Sequence, residues 1–509
     1  MQQARLHLLI ISINQLIGAH RSMYLKNFGM GLSMSGSVIA IVGGGFCGVL
    51  SAVRLLELGS HSVKKIILIE KQSRLGRGIA YGTDDDSHLL NVPAGQMSAF
   101  AEDPQHFLRF ANEADATISG SDFVPRKLYG HYLESLLDAA VHSASNSIEF
   151  VRLVDCATDI QPTRDGCVEI VVASGNVIAA DKVIIASGNL ASRNPFGSHF
   201  SNKLYAGRYI TNPWATHALD RVDFSQPVLL LGAGLTAVDM TCSLVRQGFT
   251  NTIYMVSRHG LKALPHANPS SRNPLPSPDK RLLTELRNIR SGLRAVRKQV
   301  QNAAHQGHDW REVLACLRQH TPAIWQQLSS DERRRFLRHL QRYWDMHRHR
   351  LPPSVAQVIE QQITAGQLQQ YAGRVAALTA SDDHFQIDVE LRHSESTLTL
   401  RAGSIVNCTG MCTHLDRIDD PLLANLRRRG MCTADELALG IECDDRYALV
   451  NANGQASSNI FYVGPYLRAK FWEATAVPEL RNHVTQLVQQ LIEPRQFIRN
   501  TNIDMRIPA

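Results

Sequence analysis

Of the nine cysteines in this 509-residue chain, no two stand in a C-x-x-C pair. That absence removes the usual sequence sign of a redox dithiol or a thiolate zinc site, so no metal is expected. A reducing cytosol is the simplest home for unpaired thiols, which makes a cytoplasmic location the expectation. Long hydrophobic runs are lacking too: Leu8 to Ile13 is apolar but far too short to span a bilayer, and no membrane role is expected. The layout of a signal peptide is missing, because Arg5 is the one basic residue before that run and no small-residue cleavage site stands out. Met23, Met30 and Met34 all precede the first recognisable strand. Translation is expected to start at one of them, Met34 foremost, with residues 1–36 a disordered or non-native leader. Charge is only mildly one-sided. A net +7 and a pI near 8.9 suit an anionic ligand, and with no recognition motif beside them they give no reason to expect nucleic acid as a partner. The remainder is the composition of an ordinary soluble globular chain, 44% hydrophobic and 19% charged, long enough for about three domains or two with insertions.

Against that plain background one stretch stands out. Ser37 to Gly48 reads SVIAIVGGGFCG, an apolar β-branched strand running into Gly43, Gly45 and Gly48, the G-x-G-x-x-G pattern at the opening of a helix. Val49, Ala52, Val53, Leu55 and Leu56 supply the apolar side of that helix. The first glycine permits the tight turn, the second lets backbone approach a pyrophosphate, and the third lets helix pack on strand. The pyrophosphate sits on a helix N-terminus, where unpaired N–H groups and the dipole favour anions. A second strand, Lys65 to Ile69, ends at Glu70, 22 residues past the last glycine, the place of the acidic residue that holds an adenosine ribose. The loop LGRGIAYGT, residues 75–83, follows with Gly76, Gly78 and Gly82, positions that tolerate close approach to a ligand. Then come HLLNVPAGQMSAF, residues 88–100, with Asn91 ahead of a Val-Pro pair, and FVPRKLYGHYLESLL, residues 123–137, a loop leading into an amphipathic helix. Short alternating strands occupy Ile148 to Val172, and DKVIIASG, residues 181–188, closes the unit at Gly188.

The plan then repeats. Val228 to Leu231 is a strand, and Gly232, Gly234 and Ala237 form G-x-G-x-x-A at the start of a helix. The next strand, Ile253 to Val256, ends at Ser257 and Arg258, a small hydroxyl and a cation where the first copy has Glu70. That pair suits a ribose 2′-phosphate better than a bare hydroxyl, so NADP is favoured over NAD. Phe385, Ile387, Val389 and Leu391 alternate as a half-exposed strand, and GSIVNCTG, residues 403–410, matches the earlier DKVIIASG. The expected fold is α/β, with two Rossmann-type dinucleotide-binding domains and an α-helical insertion. The FAD domain spans 37–222 and 411–492, the NAD(P) domain inserted into it spans 223–278 and 351–410, and the insertion spans 279–350.

A Pro-rich linker, Pro265 to Pro278, leads into that insertion. Leu282, Leu286, Ile289, Leu293, Val296 and Val300 predict one helix with an arginine-rich polar side, and Phe336, Leu340, Tyr343, Trp344 and His347 predict another near 331–347. A partner-binding helix, or a basic or metal patch at His347, Arg348, His349 and Arg350, is one reading. A solvated charged face over an ordinary core stripe is the favoured one, and two histidines at i, i+2 do not share a helix face. Near the chain's end, Ile460 to Val463 reads as a strand broken by Gly464 and Pro465, and a helix starts near Pro478. Backbone donors near Thr475 and Ala476 would then face an electron-rich ligand edge, unless the segment is a plain strand-to-helix connection.

The segments GGGFCG, LGRGIAYGT, HLLNVPAGQMSAF, FVPRKLYGHYL, GAGLTAVD, VSRHG, FLRHLQRYWDMHRHR and FWEATAVPELR, spread from residue 38 to 484, carry a family resemblance. The chain resembles the two-dinucleotide-binding flavoproteins, in the branch of flavin-containing monooxygenases and ornithine or lysine N-hydroxylases, and within it a bacterial family of FAD/NAD(P)-binding proteins. That resemblance implies FAD held by Gly43, Gly45, Phe46, Cys47, Gly48, Glu70, Lys71, Gly78, Arg126, Gly188, Gly464 and Thr475, and NADPH held by Gly232, Gly234, Thr236, Ala237, Ser257 and Arg258. It places Asn91 near the flavin and the nicotinamide amide as the candidate catalytic residue. Capping the turn before Val92 and Pro93 is an equal alternative. The implied chemistry is oxygenation of an amine or other soft nucleophile through a C4a-hydroperoxyflavin, with O2 and a small-molecule substrate as partners. An NADPH-dependent flavin reductase or oxidase, and a non-catalytic flavin-bound sensor or partner-binding protein, are the alternatives. Cys47 reads as a small packing residue rather than a reactive thiol. Two departures bear on the choice. The monooxygenase pattern F-x-G-x-x-x-H-x-x-x-W/Y survives only as Tyr205, Gly207, Thr211 and Trp214, and the usual Gly-Asp before the last helix is Gly464 and Pro465.

Overall fold

The computed structural model describes residues 36–144, 147–190, 196, 207–267, 275, 278 and 280–493. Residues 1–35 of the expected leader, Tyr205 and most of the Pro265–Pro278 linker lie outside these.

Strand Ser37–Val42 pairs in parallel with Val63–Glu70 on one side and Lys182–Ile185 on the other. Strands Glu149–Val154 and Ala456–Tyr462 extend this sheet in parallel, and Ala448–Val450 closes it antiparallel. Both faces of such a sheet are covered, which is why its centre is apolar without alternation: Ile39, Ala40, Ile41, Ile66 and Leu68 are all fully buried. Helix Phe46–Leu58 packs on it through Val49, Leu50, Ala52, Val53 and Leu55. Each large aliphatic side chain so removed from water contributes roughly 1.5–3 kcal/mol. The helix stops at Gly59, whose N–H returns to the Leu55 carbonyl at 2.9 Å. A three-stranded antiparallel meander, Ala157–Pro162, Val168–Val172 and Val177–Ala180, accounts for the alternating stretch after 155, whereas Glu149–Val154 belongs to the large sheet.

The second sheet repeats the first. Val228–Leu231 lies between Ile253–Ser257 and Ser404–Asn407, parallel to both. Tyr209–Ile210 adds to one edge, while Leu368–Ala380 runs parallel beside Ile253–Ser257 and continues into an antiparallel ribbon with Phe385–Leu391 and Thr397–Ala402. The correspondence reaches single hydrogen bonds. Gly43 N–H donates to Ile69 O and Gly232 N–H to Val256 O, each at 2.8 Å, while Ala186 N–H and Cys408 N–H donate to Val42 O and Leu231 O.

Residues 280–348 are helical, with two corrections to the expected lengths. The Leu282–Val300 stripe is two helices, Lys280–Glu285 and Ile289–His305, because Asn288 interrupts it and its side chain accepts from Arg290 N–H and Ser291 N–H, a local cap that competes with helix continuation. The 331–347 stripe likewise divides into Ser330–His339 and Gln341–Arg348 around Leu340. These helices dock on the segment that precedes the last helix, Val477–Ile492. Trp325 Nε1 donates to Ala469 O at 2.9 Å, and its ring lies 4.6 Å from that of Trp472.

The last helix carries His483 into the core beside Tyr447, whose hydroxyl is 3.0 Å from its Nδ1. Burial pushes this imidazole down to about 4, below the roughly 6.5 of an unfolded histidine. The unfolded chain therefore takes up the proton first, so this contribution to stability is complete above pH ~6.5 and is lost as pH falls toward ~4. Stability measured by urea unfolding is expected to fall over that window, and His483→Gln is expected to flatten the pH slope there by close to one proton.

Candidate functional site

Two glycine loops define the site. At Gly43, φ is +106° and an added Cβ would lie 2.7 Å from Ala186 O; at Gly48 it would lie 1.8 Å from Gly43 O. These glycines are demanded by backbone contact inside the protein. Gly45 is different, since its nearest neighbour to an added Cβ is Gly78 Cα at 3.8 Å. Gly45 also caps helix Phe46–Leu58 with no side-chain acceptor, and that helix has no acidic residue in its first turn. The result is a helix N-terminus whose donors face an open cradle, an arrangement that favours an anion.

The loop 75–83 closes over this cradle. Gly76 N–H donates to Gly44 O at 2.8 Å, and buried Arg77 is clamped by Glu134 through two 2.9 Å bonds. Glu70, at the end of its strand, accepts from Gly44 N–H at 2.6 Å and from Gln72 N–H at 3.0 Å. Lys71 beside it is exposed, and Gly188, at the end of its strand's loop, has open space where a side chain would be. Phe46 and Cys47 are buried in the helix, and burial pushes the Cys47 thiol up to about 12, which leaves it no thiolate character.

The second loop matches. Gly232 has φ +113° and an added Cβ would lie 2.6 Å from Cys408 O, an added Cβ on Gly234 would have nothing within 4 Å among the described residues, and Ala237 is fully buried where the first copy has Gly48. Helix Leu235–Arg246 starts at Gly234 without a side-chain cap, with Thr236 half-buried in its first turn. At the end of the next strand Ser257 Oγ accepts from Gly260 N–H, and Arg258 is exposed. Two further cations stand there that no local pattern of residues marks. Arg342 of the helical insertion contacts His259 Nε2 at 2.9 Å, and Arg392 contacts its Nδ1. A neutral imidazole accepts through one nitrogen only, so His259 cannot accept from both guanidinium groups, and the pair is suited to a phosphate.

A polar seam joins the two units. Arg126 donates from Nε to Leu89 O at 3.0 Å and from Nη2 to Asp239 at 2.8 Å, with its guanidinium 5.4 Å over the Trp214 ring. Burial raises the Asp239 carboxyl despite Arg126 and His88 beside it. His88 bridges Thr83 and Ser243 at 2.7 and 2.8 Å. Burial opposes ionisation of Asp85, yet hydrogen bonds from Ser243 and Ser87 hold it down to about 2. The segment carrying Asn91 is thereby tied to helix Leu235–Arg246. Asn91 itself is half-buried, and its carbonyl accepts from His266 Nε2 at 3.0 Å.

At the other end of the chain, an added Cβ on Gly464 would lie 2.6 Å from the Tyr462 hydroxyl. Thr475 and Ala476 depart from expectation: both N–H groups turn back to Glu473 O, at 2.6 and 3.3 Å, because the chain folds tightly before the helix begins. The basic run at 347–350 also departs from a solvated face. Arg348 is largely buried and pairs with buried Glu473 at 3.0 Å, since the docked insertion presses this helix against the segment before Val477. The stripe above it lines an apolar cavity of about 760 Å³ with Leu293, Val296, Trp310, Tyr343 and Trp472 in its wall.

Residues 40–190 match the family model NAD_binding_9, described as FAD-NAD(P)-binding, so this stretch is an FAD-NAD(P)-binding domain. No curated protein matches the chain by sequence. Among solved structures, ornithine hydroxylase from Pseudomonas aeruginosa aligns with a TM-score of 0.59 at 13% identity, covering 90% of this chain and 99% of that one. Cadaverine monooxygenase from Erwinia amylovora gives 0.60 at 11%, over 93% and 98%, and L-lysine 6-monooxygenase from Pseudomonas syringae gives 0.58 at 15%, over 90% and 100%. At such identities the likeness establishes the fold, that of the two-dinucleotide-binding flavoproteins. Among the described residues no helix is long and apolar enough to cross a membrane.

The two kinds of glycine separate experimentally. Gly45→Ala is expected to fold with an unchanged melting temperature and lose FAD, read as the flavin-to-protein absorbance ratio. Gly48→Ala is expected to yield little folded protein, because its methyl group meets Gly43 O. Arg126→Met strands the buried Asp239 carboxylate and is expected to cost about 3–5 kcal/mol in chemical denaturation, most of it recovered by adding Asp239→Leu.

Proposed function

We propose that this chain, whose residues 40–190 form an FAD-NAD(P)-binding domain, is an FAD-dependent, NADPH-using oxidoreductase that acts as a monooxygenase on an amine or other soft nucleophile. The observation that carries the reading is the pair of uncapped, open glycine-loop helix N-termini, at Gly45 and Gly234, tied together by the Arg126–Asp239 seam. Gly45 and Gly78 would receive the FAD pyrophosphate on the first helix, and Glu70 its adenosine ribose. Gly234 and Thr236 would receive the NADPH pyrophosphate, with Gly232 and Ala237 setting the close packing of turn, strand and helix behind them. Ser257 and Arg258, joined by Arg342 and Arg392 across His259, would hold the 2′-phosphate, where paired guanidinium forks are worth more than a point charge.

Bound flavin supplies hydride acceptance and oxygen activation; the chain supplies binding, orientation and exclusion of water. The seam sets the distance between the two loops. The Asn91 backbone carbonyl is held by His266, and its carboxamide would be available to hydrogen-bond the nicotinamide amide or the flavin. The helical insertion docks on the segment before the last helix through Trp325 and Trp472. The amine substrate class is supported by the hydroxylase and monooxygenase functions in the names of the structural neighbours.

One observation favours a reductase or oxidase instead: Thr211, exposed, stands where the monooxygenase pattern has histidine. The test is anaerobic reduction of the FAD-loaded protein by NADPH followed by mixing with O2. A monooxygenase is expected to release less than one hydrogen peroxide per NADPH once an amine substrate is present, and a reductase or oxidase one peroxide throughout. Arg392→Ala is expected to raise the KM for NADPH about ten- to a hundredfold and leave that for NADH unchanged, as loss of one charge-assisted hydrogen bond requires.

A further inference from the structure

Five arginines gather where the helical insertion meets the segment before the last helix. Four have carboxylate partners: Arg311 with Asp309 at 3.0 Å, Arg318 with Glu479 at 2.8 Å, Arg348 with Glu473 at 3.0 Å and Arg468 with Asp345 at 3.7 Å. Arg350 is the fifth, and among the described residues no carboxylate pairs with it. Among the described residues, Arg350 Nε and Arg348 Nη2 are both closed off from solvent without a hydrogen-bond partner. A charged donor left unmade in the interior is costly, and burial together with Arg348, Arg311 and Arg318, only partly offset by the Asp309 carboxylate, holds Arg350 down to about 10. The group that would repair all of this at once is an anion with two or more oxygens, which matches the guanidinium fork.

The position of Arg350 says whose anion it is. Its neighbour Leu351 is bridged to Pro265: Leu351 N–H donates to Leu264 O at 2.9 Å and His266 N–H to Leu351 O at 2.9 Å. His266 in turn reaches the Asn91 carbonyl, and Arg311 Nε donates to Pro265 O at 2.9 Å. On the opposite side Arg348 is held by Glu473, two residues before Thr475. The cluster therefore sits between the Asn91 loop and the entry to the last helix, and the helix that carries Arg348 also carries Arg342, which reaches His259 beside Arg258.

We propose that Arg350, with Arg348 and Arg311 beside it, forms an oxyanion site that binds a carboxylate or phosphate ester of the substrate, making the substrate of the proposed reaction a small organic anion. The inference rests on the reading given under the proposed function for which reaction it serves, but anion binding itself needs no turnover. The probes are inorganic phosphate and glutarate, titrated into FAD-loaded protein while tryptophan fluorescence is followed, since Trp310 lies 4.4 Å under the Arg311 guanidinium. Saturable quenching by one probe, at least about tenfold weaker in Arg350→Gln and unchanged in Arg294→Gln on the exposed helix face, is the expected result. Tighter binding of phosphate would identify a phosphate ester, and tighter binding of glutarate a carboxylate. Arg350→Lys keeps the charge without the fork and is expected to fall between the two, which preserves the test if Arg350→Gln folds poorly. Equal quenching in Arg350→Gln and Arg294→Gln, no response to either probe, or competition with NADP⁺ overturns the proposal, the last by assigning the cluster to the nicotinamide cofactor. Failure of the chain to take up FAD would sink the proposed function instead, and the same titration on the flavin-free chain would still decide the oxyanion site.

Discussion

Two carbonyl oxygens, Ala186 O and Cys408 O, set the limits within which the rest of this protein is built. Each directly follows a strand that returns beside a glycine-loop strand, and each sits so close to the first glycine of that loop that a side chain there would overlap it. Close approach of backbone to backbone is what lets the following helix begin at once and point its unpaired N–H groups into open space. Where the contact is inside the protein, as at Gly43, Gly48 and Gly232, glycine serves packing; where it is absent, as at Gly45 and Gly234, the space is left for a ligand. In the second copy Ala237 replaces the third glycine and is fully buried, so helix and strand stand apart there by enough for one methyl group.

A pair of such units becomes a functional site only when their spacing is held. Here a handful of polar groups do this at low solvent exposure: Arg126 with Asp239, His88 with Ser243, and Asp85 with Ser243. Buried polar seams of this kind are poor sources of net stability, because desolvation offsets most of the attraction. They are effective at selecting one relative placement, since any slippage leaves charges unpaired. The same logic governs the insertion, where Arg348 with Glu473 and Arg318 with Glu479 accompany the Trp325 and Trp472 contact. The apolar contact supplies affinity and the ion pairs supply register.

Seen from the amino acids alone, the two glycine loops, their strands and the acidic or hydroxyl-cation ending of each second strand were legible, because all of that information lies within about thirty residues and follows backbone sterics and periodicity. So was the matching of the two closing strands, whose apolar runs have nothing but sheet interior to occupy. Helix lengths in the insertion were not, because Asn288 and Leu340 interrupt stripes whose spacing continues across the break. The reading of 347–350 as a solvated face failed for a similar reason: a charge run looks the same whether water or Glu473 lies opposite it.

What the chain's order of residues determined by itself was local: which segments are strands, where backbone must pass without a side chain, and which helix ends are left uncapped. What only the tertiary structure decided was partnership across distance. Arg126 meets Asp239, Arg342 and Arg392 converge on His259, and among the described residues Arg350 is left without a paired carboxylate while its four neighbours have one. Periodicity and turn chemistry act between residues near in sequence, whereas burial of charge is settled by whatever the fold brings alongside it, and that depends on the packing of the whole chain.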